Sequence, residues 1–163
     1  MKALLRKTSL VLAAMMMALV IASLPAQAAT TAKSASTSVS VSIPETEIET
    51  VLTLVNSQRA AAGLAPLRWS DQLASDATVR ATECATSYSH TRPGGSDWWT
   101  VDSDLMYGEN LAANYTTAQT VVSTWMASPA HKANIMNSGY VTIGIATYTT
   151  ESGDVYWAEE FSY

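Results

Sequence analysis

Cysteine is all but absent from this chain: Cys84 is the only one in 163 residues. An internal disulfide is therefore excluded, and any folded domain must be held by its core rather than by cross-links. Histidine is nearly as scarce, with only His90 and His131, so any imidazole chemistry has to use one or both of them. Long hydrophobic runs are also missing. The most apolar stretch, residues 10–24, is about 15 residues long, short of the roughly 20 a helix needs to span the hydrocarbon core. Basic charge is thin and scattered over Lys33, Arg59, Arg68, Arg80, Arg92 and Lys132 once the first 28 residues are set aside. No basic patch exists, which excludes nucleic acid and anionic lipid surfaces as partners. Neither an HExxH helix nor a strained G-x-S-x-G turn occurs, so the metalloprotease and serine-hydrolase signatures are absent.

What the N-terminus does contain is a three-zone leader. Lys2, Arg6 and Lys7 precede the apolar stretch, and Ala26-Gln27-Ala28 supplies an A-x-A cleavage site. Residues 1–28 are read as a signal peptide, which leaves no membrane span after cleavage. Its removal takes away three positive charges and no acid, moving the formal net charge from −5 to −8. Residues 29–43 are rich in Ser, Thr, Ala and Val without a helical period, and read as a flexible spacer. The Ser/Thr alternation with Val within them is also compatible with an edge strand. Residues 44–163 are the folded domain.

Within the domain, Thr46 and Glu49 have capping-box spacing. Ile48, Val51, Leu52 and Val55 then fall on one helix face that ends at Gly63. Ser70 opens a second helix with the stripe Leu73, Ala74, Ala77, Ala81 and Cys84, whose small residues imply close helix approach. Cys84 is read as a small buried hydrophobe. Residues 88–107 are loop-like, with Pro93-Gly94-Gly95 as a turn, and Trp98-Trp99 belong either to the core or to an exposed cleft wall. A third helix spans about residues 117–126, with Val121, Val122 and Trp125 inward. Ser128-Pro129 restarts a short helix. Residues 141–148 and 155–161 read as strands of a hairpin.

Both histidines sit in recognisable segments: Ser89-His90-Thr91-Arg92-Pro93 and Ser128-Pro129-Ala130-His131-Lys132-Ala133-Asn134-Ile135. Gly108-Glu109-Asn110-Leu111-Ala112 lies between them. These segments, in this order, resemble the CAP superfamily of cysteine-rich secretory proteins, antigen 5 and pathogenesis-related proteins. The likeness extends from Asn56, Arg59, Gly63 and Trp69 to Tyr156-Trp157-Ala158-Glu159-Glu160-Phe161, and its disulfide-free form is similar to the bacterial SCP-like branch. The resemblance implies an α/β fold, a three-layer α-β-α sandwich with a central antiparallel sheet. It also implies a cleft gathering His90, Glu109 and His131. A further glutamate common in eukaryotic members corresponds to Ser128 here, and bacterial relatives commonly carry Gln where Glu159 stands.

Chemically, two neutral imidazoles form at most a weak, optional Zn²⁺ site with His90 and His131 as the metal ligands. Glu109 either completes that site, holds its water, fixes a histidine tautomer from behind, or is a buried carboxylate bonding loop N–H groups. Asn110 is expected to satisfy backbone groups beside the cleft, and Arg92 to fix its loop by pairing with an acid. Two functions remain. One is a monomeric extracellular module binding a small ligand or cell-envelope partner. The other is a metal-dependent hydrolase of peptide or cell-wall material, with Glu109 as base. The resemblance favours the binding module. The leader predicts a mature protein that begins at Ala29 and is recovered outside the cell; N-terminal sequencing that found Met1 on membrane-bound material would overturn it.

Overall fold

Pro44 sets where the first helix begins. In the computed structural model, which describes residues 42–163, Pro44 is the extended N-cap (φ −62°, ψ 148°) of α1, Glu45–Ala61. The expected signal peptide, residues 1–28, and nearly all of the expected spacer lie outside the described residues. The capping box expected from Thr46 and Glu49 does not form, because the proline's fixed φ starts the helix ahead of Thr46. Glu45 and Glu47 in the first turn answer the free N–H groups by charge instead. The other end follows expectation. Gly63 takes φ +73°, its N–H bonds the Ala60 carbonyl at 3.0 Å, and the Leu64 N–H bonds that of Arg59 at 2.9 Å. This is a Schellman cap.

Helix α2, Asp71–Cys84, is capped by Ser70 Oγ, which accepts from the Leu73 N–H. The loop that follows turns at Gly95 (φ +87°) and makes a short 3-10 turn at Trp98–Val101. Trp98 and Trp99 pack edge to face there, and Trp99 is 42% exposed, so this pair is not core. Helix α3, Ala118–Ala127, is capped by Thr117. Its first N–H also donates to Glu47 Oε2 of α1 at 2.6 Å, tying the two helices at their N-terminal ends. Helix α4, Pro129–Ile135, starts at Ser128 with proline in the first turn, but the serine side chain makes no cap bond.

Four strands run in the order β1-β3-β4-β2. Strands β2 (Gly108–Ala113), β3 (Thr142–Thr149) and β4 (Val155–Ser162) are antiparallel neighbours, as expected. The two-residue β1 (Arg68–Trp69) joins β3 in parallel, so the complete sheet is mixed. Alternation along each strand divides the sheet into two unequal faces. Ile143, Ile145, Trp157 and Phe161 meet Val51 and Val55 of α1 and Val121, Val122 and Trp125 of α3 in a bulky core. On the other face Leu111, Ala146 and Ala158 meet Ala77, Ala81 and Cys84 of α2. Cys84 is buried there, and burial pushes its thiol up to about 11, in keeping with an inert role.

The close approach read from the alanine stripe centres on Gly144. A Cβ placed there would lie 2.2 Å from the backbone of both Leu73 and Ala74, so α2 rests directly on β3. No helix among the described residues is long and apolar enough to cross a membrane. Gly144→Ala should destabilise the domain by about 3 kcal/mol or more, because backbone rather than a flexible side chain must move. Urea unfolding of this variant checks the point, and an unchanged midpoint would contradict the contact.

Candidate functional site

Glu109 stands on the edge strand β2, on the face covered by α2. Burying a carboxylate needs a partner, and Arg80, itself fully buried on α2, supplies it. Arg80 Nε donates to Glu109 Oε2 at 2.6 Å and Nη2 to Oε1 at 3.3 Å. The rest of the guanidinium is used as well: Nη1 donates to Glu83 Oε2, and Nη2 to the Ser89 carbonyl at 2.7 Å. Burial alone would lower the Arg80 pKa, but the Glu109 and Glu83 carboxylates outweigh it and raise it further above its ordinary value. Burial likewise works to raise Glu109, yet the bonds from His90 and Arg80 hold it below the usual carboxylate range.

From this clamp the cleft is assembled. The Ser89 carbonyl held by Arg80 fixes the start of the loop, and His90 Nδ1 lies 2.7 Å from Glu109 Oε1. An ionised carboxylate at that distance places the ring proton on Nδ1 and leaves Nε2 as the basic nitrogen. Arg92, expected to pair with an acid, pairs with Glu83: Nη2 donates to Oε1 at 2.7 Å and Nε at 2.9 Å. It therefore braces the loop rather than lining the cleft. His131 arrives from α4. Its Nδ1 is buried without a hydrogen-bond partner among the described residues, and burial, then the neighbouring His90, lower its pKa. His90 and His131, with Tyr88, Ser89 and Leu111, line a cavity of about 250 Å³.

Asn110 does what its position suggested and more. Its Nδ2 donates to the His131 carbonyl at 3.1 Å and to Glu159 Oε2 at 2.9 Å, while its Oδ1 accepts from Asn134. Asn134 Nδ2 also donates to the Glu109 carbonyl, and Trp125 Nε1 to the Leu111 carbonyl. Side chains of α3 and α4 thus seal the outer edge of β2. Ser128, the position of the missing glutamate, joins α3 to α4 through its backbone and does not line the cavity. Glu159 does not reach the cavity either. It is fully buried beneath Asn110, and burial pushes its carboxyl up to about 8.

Two groups escaped the sequence reading. Arg80 could have been suspected, because an arginine sits inside the apolar stripe of α2, between Ala77 and Cys84. Glu160 pairs across the strands with Glu109. It is fully buried, and neither of its oxygens has a hydrogen-bond partner among the described residues. Burial, then the Glu109 charge, push its pKa well above the usual value, which favours its neutral form. No sequence pattern separated Glu160 from its neighbour.

The two perturbed glutamates have opposite pH signatures. Glu109 is depressed in the folded state, so its stabilisation is present above the unfolded carboxylate pKa of about 4.3 and is lost as pH falls through the folded value. Glu159 is raised, so stability declines as pH rises from about 4.3 towards about 8. Glu159→Gln keeps the bond from Asn110 and should unfold at higher urea than the parent at pH 8, with the difference vanishing near pH 4. Glu109→Gln should cost about 3–5 kcal/mol at pH 7, since it leaves a buried guanidinium half-paired. Urea titrations at pH 4, 6 and 8 on the three proteins decide both.

The cysteine-rich secretory protein (CAP) family model matches residues 52–161. The protein YkwD of Bacillus subtilis is 32% identical over 118 residues, covering 68% of this chain and 45% of its own. The chain therefore spans less than half the length of that relative. Among solved structures, an outer surface protein from Borrelia burgdorferi is 20% identical, with a TM-score of 0.64 over 72% of this chain and 92% of that one. An extracellular SCP-domain protein from Bacillus anthracis is also 20% identical, with a TM-score of 0.59 over 69% of this chain and 39% of that one. At such identities these likenesses establish the α-β-α fold. With the family model running from α1 through β4, the chain belongs to the CAP, or cysteine-rich secretory protein, family.

Proposed function

We propose that this is a secreted, monomeric CAP-domain binding module whose His90–His131 cleft takes a small ligand, a divalent metal included, rather than an enzyme of one fixed reaction. The observation that carries the reading is the 2.7 Å contact between His90 Nδ1 and Glu109 Oε1. Glu109, clamped by Arg80, holds Nδ1 and leaves Nε2 as an acceptor beside the same cavity that His131 lines. His131 is biased towards its neutral form by burial, and its Nδ1 has no hydrogen-bond partner among the described residues. In their neutral forms, two imidazoles at one small cleft can accept from N–H or O–H groups of a ligand or donate lone pairs to a metal.

Zn²⁺ suits imidazole nitrogens, and His90 and His131 are the residues that would hold it. Glu109 is not free to join them, because both its oxygens are engaged. Among the described residues no third His, Cys, Asp or Glu completes a ligand set. Such a site has open positions and should be weak; a bound ion there would act as a Lewis acid towards whatever ligand filled them. The hydrolase alternative, with Glu109 as base, is disfavoured because that carboxylate is buried, doubly bonded and held at low pKa. A base in this cleft would have to be an imidazole nitrogen, of His90 or of His131.

Calorimetry with ZnCl₂ tests the reading. We expect weak binding at pH 7.5 that His90→Ala and His131→Ala each abolish, with circular dichroism unchanged. Binding should fade as pH drops through the imidazole range, because protonated histidine cannot ligate. Burial keeps His131 neutral to lower pH than an ordinary histidine. Unchanged affinity in both variants would remove the metal and leave an organic-ligand cleft. Chelator-sensitive turnover on a peptide and cell-wall panel would favour the hydrolase.

A further inference from the structure

The chemistry of the cleft narrows what it can hold. Tyr88, Ser89, His90, Leu111 and His131 line it, and none of them carries a permanent charge. The charged groups behind the lining are spent on one another: Arg80 pairs with Glu83 and Glu109, and Arg92 with Glu83. Two cations meet two carboxylates there, which leaves no uncompensated charge to hold a phosphate, a carboxylate or an ammonium group.

What the lining offers is hydrogen-bonding capacity beside an apolar face. His90 Nδ1 is engaged by Glu109, and His131 Nδ1 is sealed from solvent, so Nε2 is the nitrogen each ring leaves for the cavity. Ser89 Oγ accepts from the Thr91 N–H at 3.0 Å and keeps its own proton to give. A hydroxyl both donates and accepts, so it satisfies these groups whichever imidazole nitrogen holds the proton. The apolar part is Leu111, which is buried, and the ring of Tyr88, which is 54% exposed. Tyr156, packed on the alanine-rich layer under α2, props that ring from behind with the centroids 6.2 Å apart.

The cavity, about 250 Å³, is smaller than the roughly 300–1,000 Å³ of sites that enclose a drug-sized molecule. It has room for one ring. An acyl chain lacks the hydroxyls, and a linear polyol lacks the flat face. A pyranose has both, with C–H groups on its faces and hydroxyls around its rim. We infer that this cleft binds one ring of a neutral saccharide, its C–H face against Tyr88 and its rim hydroxyls on His90, His131 and Ser89. The inference rests on the binding-module reading and gives that module a ligand class. Tyr88 and His90 are exposed while Leu111 is buried, so the ring enters past the first two and the rest of a longer glycan stays outside.

Titration of the purified protein with methyl β-glucoside, followed by nuclear magnetic resonance shifts with EDTA present to remove metal, tests this. Binding should be of order 1 mM, as expected for one small ring. Glucuronate, which adds a charge, and sorbitol, which has the hydroxyls without the ring, should each bind about tenfold more weakly or not at all. Tyr88→Ala should weaken the glucoside about tenfold, while Tyr88→Phe, which keeps the aromatic face, should bind it nearly as well as the parent. Glucuronate or sorbitol binding as tightly as the glucoside, or undiminished binding by Tyr88→Ala, would overturn the inference. No glucoside binding alongside intact Zn²⁺ binding would overturn it too and leave the module reading in place. Loss of both would remove the two together.

Discussion

One buried charge, that of Arg80, organises the cleft of this domain. Arg80 lies inside the one helix layer that has no bulky side chains to spare, and its guanidinium must find acceptors or the layer cannot close. It finds the Glu109 carboxylate on β2, the Glu83 carboxylate on its own helix and the Ser89 carbonyl in the loop. Each of these acceptors fixes something that the cleft needs. Glu109 turns one oxygen to His90, Glu83 holds Arg92 and with it the loop, and Ser89 is the residue before the histidine. The cleft's geometry is thus a by-product of satisfying a charge that never touches the cavity.

The two faces of the sheet meet this arrangement differently. Under α1 and α3 the packing is by volume, with Trp125, Trp157 and Phe161 fully buried, each worth roughly 2 kcal/mol or more of apolar burial. Under α2 it is by proximity, with alanines, a cysteine and Gly144 letting helix backbone touch strand backbone. Close approach leaves little room for water around Arg80, Glu109 and Glu160, so the electrostatics there are strong and the pKa values displaced. Small side chains are therefore the reason that the carboxylate behind His90 is so firmly held.

Much of this was legible from residue order. The stripes of α1, α2 and α3, the glycine stop at Gly63 and the hairpin of β3 and β4 followed from local periodicity, and the segments carrying His90, Glu109 and His131 from the family resemblance. The start of α1 was misplaced because a capping-box spacing competes with a proline that fixes φ, and the proline won. β1 is two residues long, too short for any period to declare it. Arg80 and Glu160 were missed for a different reason: pairing across 29 residues in one case and across two strands in the other is a property of docking, invisible to any window of sequence. Arg92 and Ser128 were placed at the cleft by their neighbours in the motif, and the fold uses the first as a brace and the second as a joint.

The outer edge of β2 is closed by indole and amide side chains rather than by another strand. Trp125 and Asn134 belong to helices that lie between β2 and β4 in the chain, so the groups that cap the outer edge of β2 are joined to it by less chain than the strand that completes its inner edge. Until α3 and α4 dock, the Glu109 and Leu111 carbonyls form an open template on which a second unfolded chain could pair. Closure by side chains means that loosening α3 or α4 would expose the Glu109 and Leu111 carbonyls as a pairing edge with no change in the sheet itself.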